Sequence, residues 1–315
     1  MIAHPIESRI LTSFHATEYP LAKKSNYLFD LSYLTVLKLQ GDKALAFLQG
    51  QLTSDLLKVS DSRMMPSAQC NLKGRVLALL DIIQWQGLQL VLPKDLVEKT
   101  QYALEKTAQL SRVSFREESS LKLFGFFLQN HDDVFPVEEI FSEEQYTQVS
   151  SQGYCFYHLG EGFYIFITLE GLAPALCQPF IDKDQFLGSN TWHALRLMHN
   201  QFDIYPESRG LFLPHKLGLQ NTDYISFDKG CYKGQEIIAR MHYRATLKHE
   251  LKVFTVNTSE TLFIGQKLLS NTLEIGEVVD YAYLSDTTVV IAVSILKERP
   301  PEVFFELHNS PIHLE

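Results

Sequence analysis

The most constraining feature of the chain is the stretch 228–236, which reads Asp-Lys-Gly-Cys-Tyr-Lys-Gly-Gln-Glu. Glycine adopts positive φ angles at little cost, so we expect Gly230 and Gly234 to form a tight turn around Cys231. The residues that follow, 237–241, read Ile-Ile-Ala-Arg-Met and are typical of a helix with one apolar side. The turn therefore places Cys231 near the free N–H groups at the start of a helix.

This setting predicts chemistry at Cys231. Lys229 and Lys233 add positive charge, and the start of a helix also stabilises an anion, so we expect a reactive thiol with thiolate character. The alternative is a small buried packing residue, as most free cysteines are. Asp228 and Glu236 are candidates for a general acid or base, although Glu236 also suits a role in satisfying backbone N–H groups of the turn.

Residues 229–236 resemble the K-G-C-Y-x-G-Q-E signature of the YgfZ family and match it at every specified position. Residues 41–55 resemble an early family segment that ends in F-L-Q-G-Q-x-T-x-D, and residues 69–76 resemble its hairpin with a Lys-Gly turn. The resemblance runs from about residue 34 towards the C-terminus and is weakest between residues 117 and 190. Its motif residues besides Cys231 are Lys229, Gly230, Tyr232, Gly234, Gln235 and Glu236.

The resemblance implies a fold. The family comprises folate-binding relatives of the glycine cleavage T-protein, linked to iron–sulfur cluster maintenance and tRNA modification. We therefore expect an α+β protein with a T-protein-like folate-binding fold of two α+β subdomains plus a small C-terminal β-barrel. We expect the first subdomain to consist of residues 1–116, completed by residues 191–245, which include the signature. The second subdomain is expected to span residues 117–190, and the barrel residues 246–315. Strands interleaved with helices in the first part agree with an α+β layer.

The resemblance also implies tetrahydrofolate or a folate derivative as cofactor. A site for it needs an aromatic or apolar slot, polar groups for the pterin edge and positive charge for the carboxylate tail. Trp192 stands where the family suggests a folate contact, and Tyr33 is a second candidate wall. Arg240 and Arg244 suit the folate carboxylates through charge-assisted hydrogen bonds. The alternatives are core packing for Trp192 and a solvated helix face for the two arginines.

The composition and charge of the chain restrict the kinds of partner and cofactor that we expect. The net charge of −9 argues against strong direct nucleic-acid binding, which draws most of its affinity from basic surfaces. The four cysteines are widely separated and the histidines show no metal-ligand spacing, so we expect no metal site, no resident iron–sulfur cluster and no disulfide framework. No apolar run is long enough for a membrane span, and residues 1–20 lack a signal-peptide core. These features indicate a cytoplasmic protein that does not bind membranes.

Two functional hypotheses from different classes are consistent with these features. In the first, the protein is a folate-binding accessory factor whose reactive Cys231 supports iron–sulfur cluster assembly or repair, and thereby tRNA modification, in enzymes such as those that thiomethylate tRNA. In the second, it is a tetrahydrofolate-dependent transferase of aminomethyl or methyl groups. A cysteine in the K-G-C-Y turn favours the first, since T-protein catalysis does not depend on a cysteine there. Whether the protein turns over a substrate stays open, and a scaffold with a structural turn is the third possibility.

Overall fold

The computed structural model describes residues 1–298, 303–306 and 311–312. Its strands, in chain order, are β1 (Ile2–Ile6), β2 (Arg9–Ser13), β3 (Tyr27–Asp30), β4 (Leu34–Gln40), β5 (Met65–Cys70), β6 (Val76–Gln84), β7 (Leu88–Pro93), β8 (Ser114–Glu117), β9 (Leu121–Phe127), β10 (Gln148–Ser150), β11 (Tyr154–Gly160), β12 (Phe163–Leu169), β13 (Phe186–Leu187), β14 (His249–Asn257), β15 (Lys267–Ser270), β16 (Leu273–Tyr283), β17 (Thr288–Leu296), β18 (Val303–Phe305) and β19 (Pro311–Ile312). Its α-helices are α1 (Ala44–Gln49), α2 (Val97–Leu110), α3 (Ala173–Ile181), α4 (Ser189–Met198) and α5 (Gln235–Arg244).

The described strands form three large sheets and one hairpin. The first sheet has the order β5-β6-β7-β4-β8, and the second has the order β10-β11-β12-β9-β3-β13. The third, β14-β17-β16-β15-β18-β19, is a curled half-barrel, and β1 pairs with β2 in the separate hairpin. Mostly antiparallel sheets with helices beside them are the α+β architecture that the sequence predicts.

The second sheet combines two distant parts of the chain. β3, from the N-terminal region, pairs antiparallel with β9, so that Leu28 lies opposite Phe126. The short β13 then adds parallel to β3 on its other side. The N-terminal region thus contributes a strand to the sheet that the sequence assigned to residues 117–190 alone. The predicted domain limits themselves stay a prediction.

Helix α4 lies where the sheets meet. All of its residues except Arg196 and Met198 are buried, the pattern of a helix that is packed on every side. It contacts β2 of the hairpin, β3 of the second sheet, and β14, β16 and β17 of the half-barrel. Trp192 packs so closely on β9 that a Cβ at Gly125 would lie 2.5 Å from the indole ring. The helix therefore joins three parts of the fold in one core.

The N-terminal hairpin is fastened by a buried arginine. Arg9 in β2 binds Asp95 with Nε at 2.8 Å and Nη2 at 3.0 Å, and its Nη1 lies 2.8 Å from Asp203. Its guanidinium also lies 4.2 Å from the centre of the Tyr205 ring. Asp95 follows β7, and Asp203 follows α4. One side chain thus connects three segments that are far apart in the sequence.

Candidate functional site

The signature turn ends at helix α5 as predicted, and one of its glycines is required by the backbone. Gly234 is the N-cap residue of α5 and has a φ of 86°. A Cβ at this position would lie 2.5 Å from the carbonyl oxygen of Asn71, in the turn between β5 and β6. Gly230 differs, because its φ is not positive and an added Cβ would meet no atom within 4 Å. The expectation of positive φ is therefore confirmed for Gly234 and wrong for Gly230.

The two lysines of the motif anchor the turn to the first sheet and its helices. Lys229 is buried, and its Nζ donates to the carbonyl oxygens of Leu52 at 2.9 Å and Ser54 at 2.6 Å. Burial lowers the pKa of Lys229 to about 8. The Nζ of Lys233 donates to the carbonyl oxygen of Ala103 at 3.3 Å. Both ammonium groups are thus held by backbone carbonyls, a structural role that the sequence analysis did not predict.

The remaining motif residues divide between the interior and the surface. The buried ring of Tyr232 lies 5.3 Å from Lys229 Nζ, which makes it part of the anchor. The side-chain oxygen of Gln235 accepts a hydrogen bond from the Tyr232 backbone N–H at 3.4 Å. Glu236 and Asp228 are exposed. The backbone-satisfying role considered for Glu236 therefore falls to Gln235.

Cys231 is exposed, whereas the other three cysteines, all in the described part of the chain, are buried. Burial raises the pKa of each buried thiol to about 12, at Cys70, Cys155 and Cys177. Because the thiolate is the reactive form, these three should be inert at neutral pH. Cys231 is therefore the accessible thiol among the four cysteines. It lies in the signature turn, between residues whose side chains are anchored to the rest of the protein.

One cavity among the described residues has a volume of about 610 Å³. Its apolar lining consists of Pro66, Leu79, Leu159, Phe202, Leu217, Leu219 and Leu251. Tyr146, Tyr224, His158 and Arg196 add aromatic and polar groups. The lining also includes further polar and charged residues, namely Glu143, Gln145, Glu161, His199, Asn200, Gln201 and Thr222. The volume lies within the range of about 300–1,000 Å³ that is typical of small-molecule sites. We call it the large cavity.

Arg196 connects the large cavity to the buried ionic network. Its Nε lies 3.1 Å from the side-chain oxygen of Gln201, and its Nη1 lies 3.3 Å from an Asp203 carboxylate oxygen. Burial acts to raise the pKa of Asp203, but Arg196 and Arg9 hold it below its ordinary value. The Asp203 carboxylate is therefore a permanent anion at neutral pH. It holds the Arg196 guanidinium at the cavity wall.

Asp81 does not line the large cavity, but it lies within electrostatic range of Arg196. It accepts a hydrogen bond from the Tyr157 hydroxyl at 2.9 Å. Burial raises the pKa of Asp81 to about 6, although the Tyr157 bond and Arg196 act to lower it. Burial, together with the Asp81 charge, also raises the pKa of Tyr224. A carboxyl group whose pKa is raised towards neutrality is a candidate functional group.

The substitution Asp81→Asn is expected to make the protein more stable at pH 7.5. The native pKa of about 6 lies above the ordinary 3.8, so the native state binds the proton more tightly than the unfolded state does. The charged carboxylate therefore destabilises the fold above pH 6, and this penalty fades as the pH falls towards 4. Urea midpoints at pH 7.5 and 4.5 should show an advantage for the variant that shrinks on acidification. A constant difference would contradict the raised pKa.

The four residues predicted to contact folate lie outside the lining of the large cavity. Trp192 has no exposed surface, and its ring lies 5.3 Å from that of Phe29, which favours the core-packing alternative. Tyr33 is buried beside Arg9, with the guanidinium 5.5 Å from its ring centre. Arg240 and Arg244 are exposed on α5. Their role as folate contacts stays a prediction.

The residues that shape the large cavity were missed by sequence reasoning. A signal existed for Arg196, because it is a charged residue inside helix α4, most of whose residues are buried. The same kind of signal marks Asp81, which interrupts the apolar strand β6 and interacts with Arg196. A charged residue inside a buried element is normally paired or functional. Tyr224 gave no signal, since it lies in an irregular segment among polar residues.

Two further features are absent from the described residues. Within 1–298, 303–306 and 311–312, no three His, Cys, Asp or Glu side chains are grouped to hold a metal ion. None of the helices in these ranges combines the length and the apolar character needed to cross a membrane.

Comparison with known structures identifies the fold. The chain superposes on the glycine cleavage system aminomethyltransferase T from Bartonella henselae with a TM-score of 0.71 over 93% of this chain and 85% of the other, at 19% sequence identity. The protein thus has the fold of the aminomethyltransferase T class, which confirms the predicted fold class.

Sequence comparison gives a more specific relationship. The chain is 28% identical over 274 residues to the tRNA-modifying protein YgfZ of Escherichia coli O157:H7, covering 84% of this chain and 83% of that protein. It is 27% identical over 272 residues to the YgfZ protein of Yersinia pestis strain Pestoides F, covering 83% and 82%. No family model matches the chain. The resemblance to the YgfZ family is confirmed by these relatives.

Proposed function

We propose that the protein is a cytoplasmic folate-binding accessory factor that supports tRNA modification by way of iron–sulfur enzymes, with Cys231 as its reactive group. The observation that carries the proposal is the display of Cys231. It is exposed, it lies in the signature turn, and Lys229 and Lys233 hold its neighbours on the first subdomain. A thiol presented in this way suits contact with another protein. The names of the YgfZ relatives support tRNA modification as the process served.

The large cavity supports folate as the cofactor. Its volume of about 610 Å³ and its mixed lining suit a flat heteroaromatic ring. Tyr224 and Tyr146 supply aromatic surface, and Arg196 supplies a positive charge in a lining that also contains Glu143 and Glu161. When bound, tetrahydrofolate would bring the capacity to carry a one-carbon group. Arg240 and Arg244 on α5 are our proposed contacts for its carboxylate tail.

Cys231 is not among the residues that line the large cavity. We therefore infer that folate and thiol act at two places, with the cofactor in the interior and the thiol meeting a client enzyme. A client that thiomethylates tRNA would bind the RNA itself, which agrees with the acidic charge of −9 on this chain.

The proposal is tested by separating the two places. Tyr224→Phe removes one hydroxyl at the cavity and is expected to weaken tetrahydrofolate binding, measured by calorimetry, by about three- to tenfold, the range for one hydrogen bond. Tyr102→Phe, at an exposed residue on α2, is the matched control. Cys231→Ala is expected to bind folate normally but to fail in restoring tRNA thiomethylation to cells that lack the endogenous relative. Restoration by Cys231→Ala would exclude the thiol mechanism, and undisturbed binding by Tyr224→Phe would exclude the cavity as the folate site.

The fold itself favours a second candidate, transfer of an aminomethyl or methyl group to or from tetrahydrofolate. In that case the purified protein would convert an added one-carbon tetrahydrofolate at a rate sensitive to Tyr224→Phe and indifferent to Cys231→Ala. Alkylation of Cys231 with and without tetrahydrofolate adds a direct measurement. Shielding by the cofactor would place thiol and folate in one site, against our inference of two.

A further inference from the structure

A second cavity, of about 300 Å³, lies beside the N-terminal hairpin. Its walls come from the hairpin and the segment after it, from the start of α4, and from the loop after β16. The residues that matter for its chemistry are His4, Glu18, Tyr19, Asn190, Tyr283 and Asp286. It shares no lining residue with the large cavity, although helix α4 contributes to both. We call it the hairpin cavity.

The hairpin cavity is negatively charged. Glu18 and Asp286 contribute carboxylates, and the described residues that line it include no lysine or arginine. The histidine in its wall does not offset this charge, because burial lowers the pKa of His4 even though Glu18 acts to raise it. A ligand that enters must therefore complement two acidic groups.

Asn190 gives the cavity an unused hydrogen-bond acceptor. The residue is 6% exposed, and its Nδ2 donates to the Tyr283 carbonyl oxygen at 3.1 Å. Its Oδ1 is buried and has no hydrogen-bond partner among the residues that the structure describes. Leaving a buried carbonyl oxygen without a donor is costly, so a hydrogen-bond donor on a molecule inside the cavity would be favoured at this position.

Glu18 is fixed in place before any ligand arrives. Its carboxylate accepts hydrogen bonds from the backbone N–H of Phe14 at 2.6 Å, the backbone N–H of Gly188 at 3.1 Å and the hydroxyl of Thr191 at 2.5 Å. These bonds occupy the start of α4, where a free anion would otherwise be favoured. Tyr19 and Tyr283 add aromatic walls of the kind that attract organic cations.

We propose that the hairpin cavity binds a small organic cation with N–H donors, of the primary ammonium class, with Asn190 Oδ1 as hydrogen-bond acceptor and Glu18 and Asp286 as counter-charges. Its volume of about 300 Å³ limits the ligand to a small molecule. The two tyrosines favour a ligand whose charge lies next to apolar carbon.

The test compares two probes of the same shape. Benzylammonium and benzyl alcohol are titrated separately into the full-length, isotope-labelled protein, and the backbone amide shifts of Thr191 and Ser285 are followed. Benzylammonium should give saturable shifts at these amides, with an affinity about tenfold or more above that of the alcohol, because its donors are charged. Equal affinities, or shifts confined to other regions, would overturn the proposal.

Variants assign the contacts. Asn190→Leu should reduce benzylammonium affinity by about tenfold or more, because it removes the acceptor. Asp286→Asn, in an exposed loop, should reduce it by about two- to fivefold, the range for an exposed charge. Asp132→Asn, at an exposed aspartate outside the cavity lining, should leave it unchanged. If Asn190→Leu does not fold, the test rests on Asp286→Asn. An unaltered benzylammonium affinity in that variant would contradict the proposed role of Asp286 as a counter-charge.

Discussion

Replacing Arg9 with methionine is expected to lower the free energy of unfolding by about 3–5 kcal/mol, the usual cost of breaking a buried ion pair from one side. The Arg9 side chain is 3% exposed and bridges Asp95 and Asp203. Methionine fills much of the space but leaves two carboxylates without their partner. Asp203 retains Arg196, whereas Asp95 loses both of its hydrogen bonds from Arg9. Urea unfolding followed by circular dichroism measures the loss.

The matched control is Arg63→Met. Arg63 pairs with Glu144 at the surface, with side chains 37% and 74% exposed, so its loss should cost at most about 1 kcal/mol. Arg9→Lys should fall between the two, because lysine keeps the charge but cannot reproduce the two-pronged contact with Asp95. If Arg9→Met were no more destabilising than Arg63→Met, the buried network would not hold the hairpin to the core.

Gly234→Ala is the second substitution with a large expected effect. Alanine at a φ of 86° costs about 1–2 kcal/mol for the left-handed backbone. Its Cβ would also approach the Asn71 carbonyl oxygen at 2.5 Å, and overpacking of this kind costs about 1–3 kcal/mol more. Together we expect a loss of about 2–5 kcal/mol, with displacement of the turn that carries Cys231.

Gly230→Ala provides the comparison within the same motif. A Cβ at Gly230 meets open space and the backbone there needs no positive φ, so unfolding should change by less than about 0.5 kcal/mol. Urea midpoints and the rate of Cys231 alkylation are the two readouts. Equal effects of the two substitutions on stability would mean that the contact between Gly234 and the turn after β5 is not a constraint.

Local patterns in the sequence were enough to predict the parts of the fold that depend on neighbouring residues. Helix α5 begins at Gln235, within the signature and directly after the glycine that was expected to bend the chain. The hairpin around residues 69–76 is also confirmed, with Cys70 paired to Val76. In both cases glycine and apolar periodicity act over a few residues.

The parts that could not be predicted depend on contacts between distant residues. The lining of the large cavity brings Arg196 and Tyr224 together, and nothing in their local sequence indicates that they meet. Trp192 is a second residue whose surroundings could not be predicted from its local sequence. Its burial arises from the close approach of Gly125, 67 positions earlier in the chain, so its surroundings follow from tertiary packing.

The buried helix α4 has a consequence for how the protein is made. The hairpin at residues 2–13, strand β3 and the half-barrel after residue 249 all pack against this one helix. During synthesis, which proceeds at about 5–20 residues per second, the first two therefore emerge long before the helix that covers them. The hairpin and β3 must therefore wait with apolar surface uncovered until α4 and the residues up to about 203 have been added, when Arg9 also meets its second carboxylate. Nascent chains of this protein are thus expected to depend on a holding chaperone over that interval.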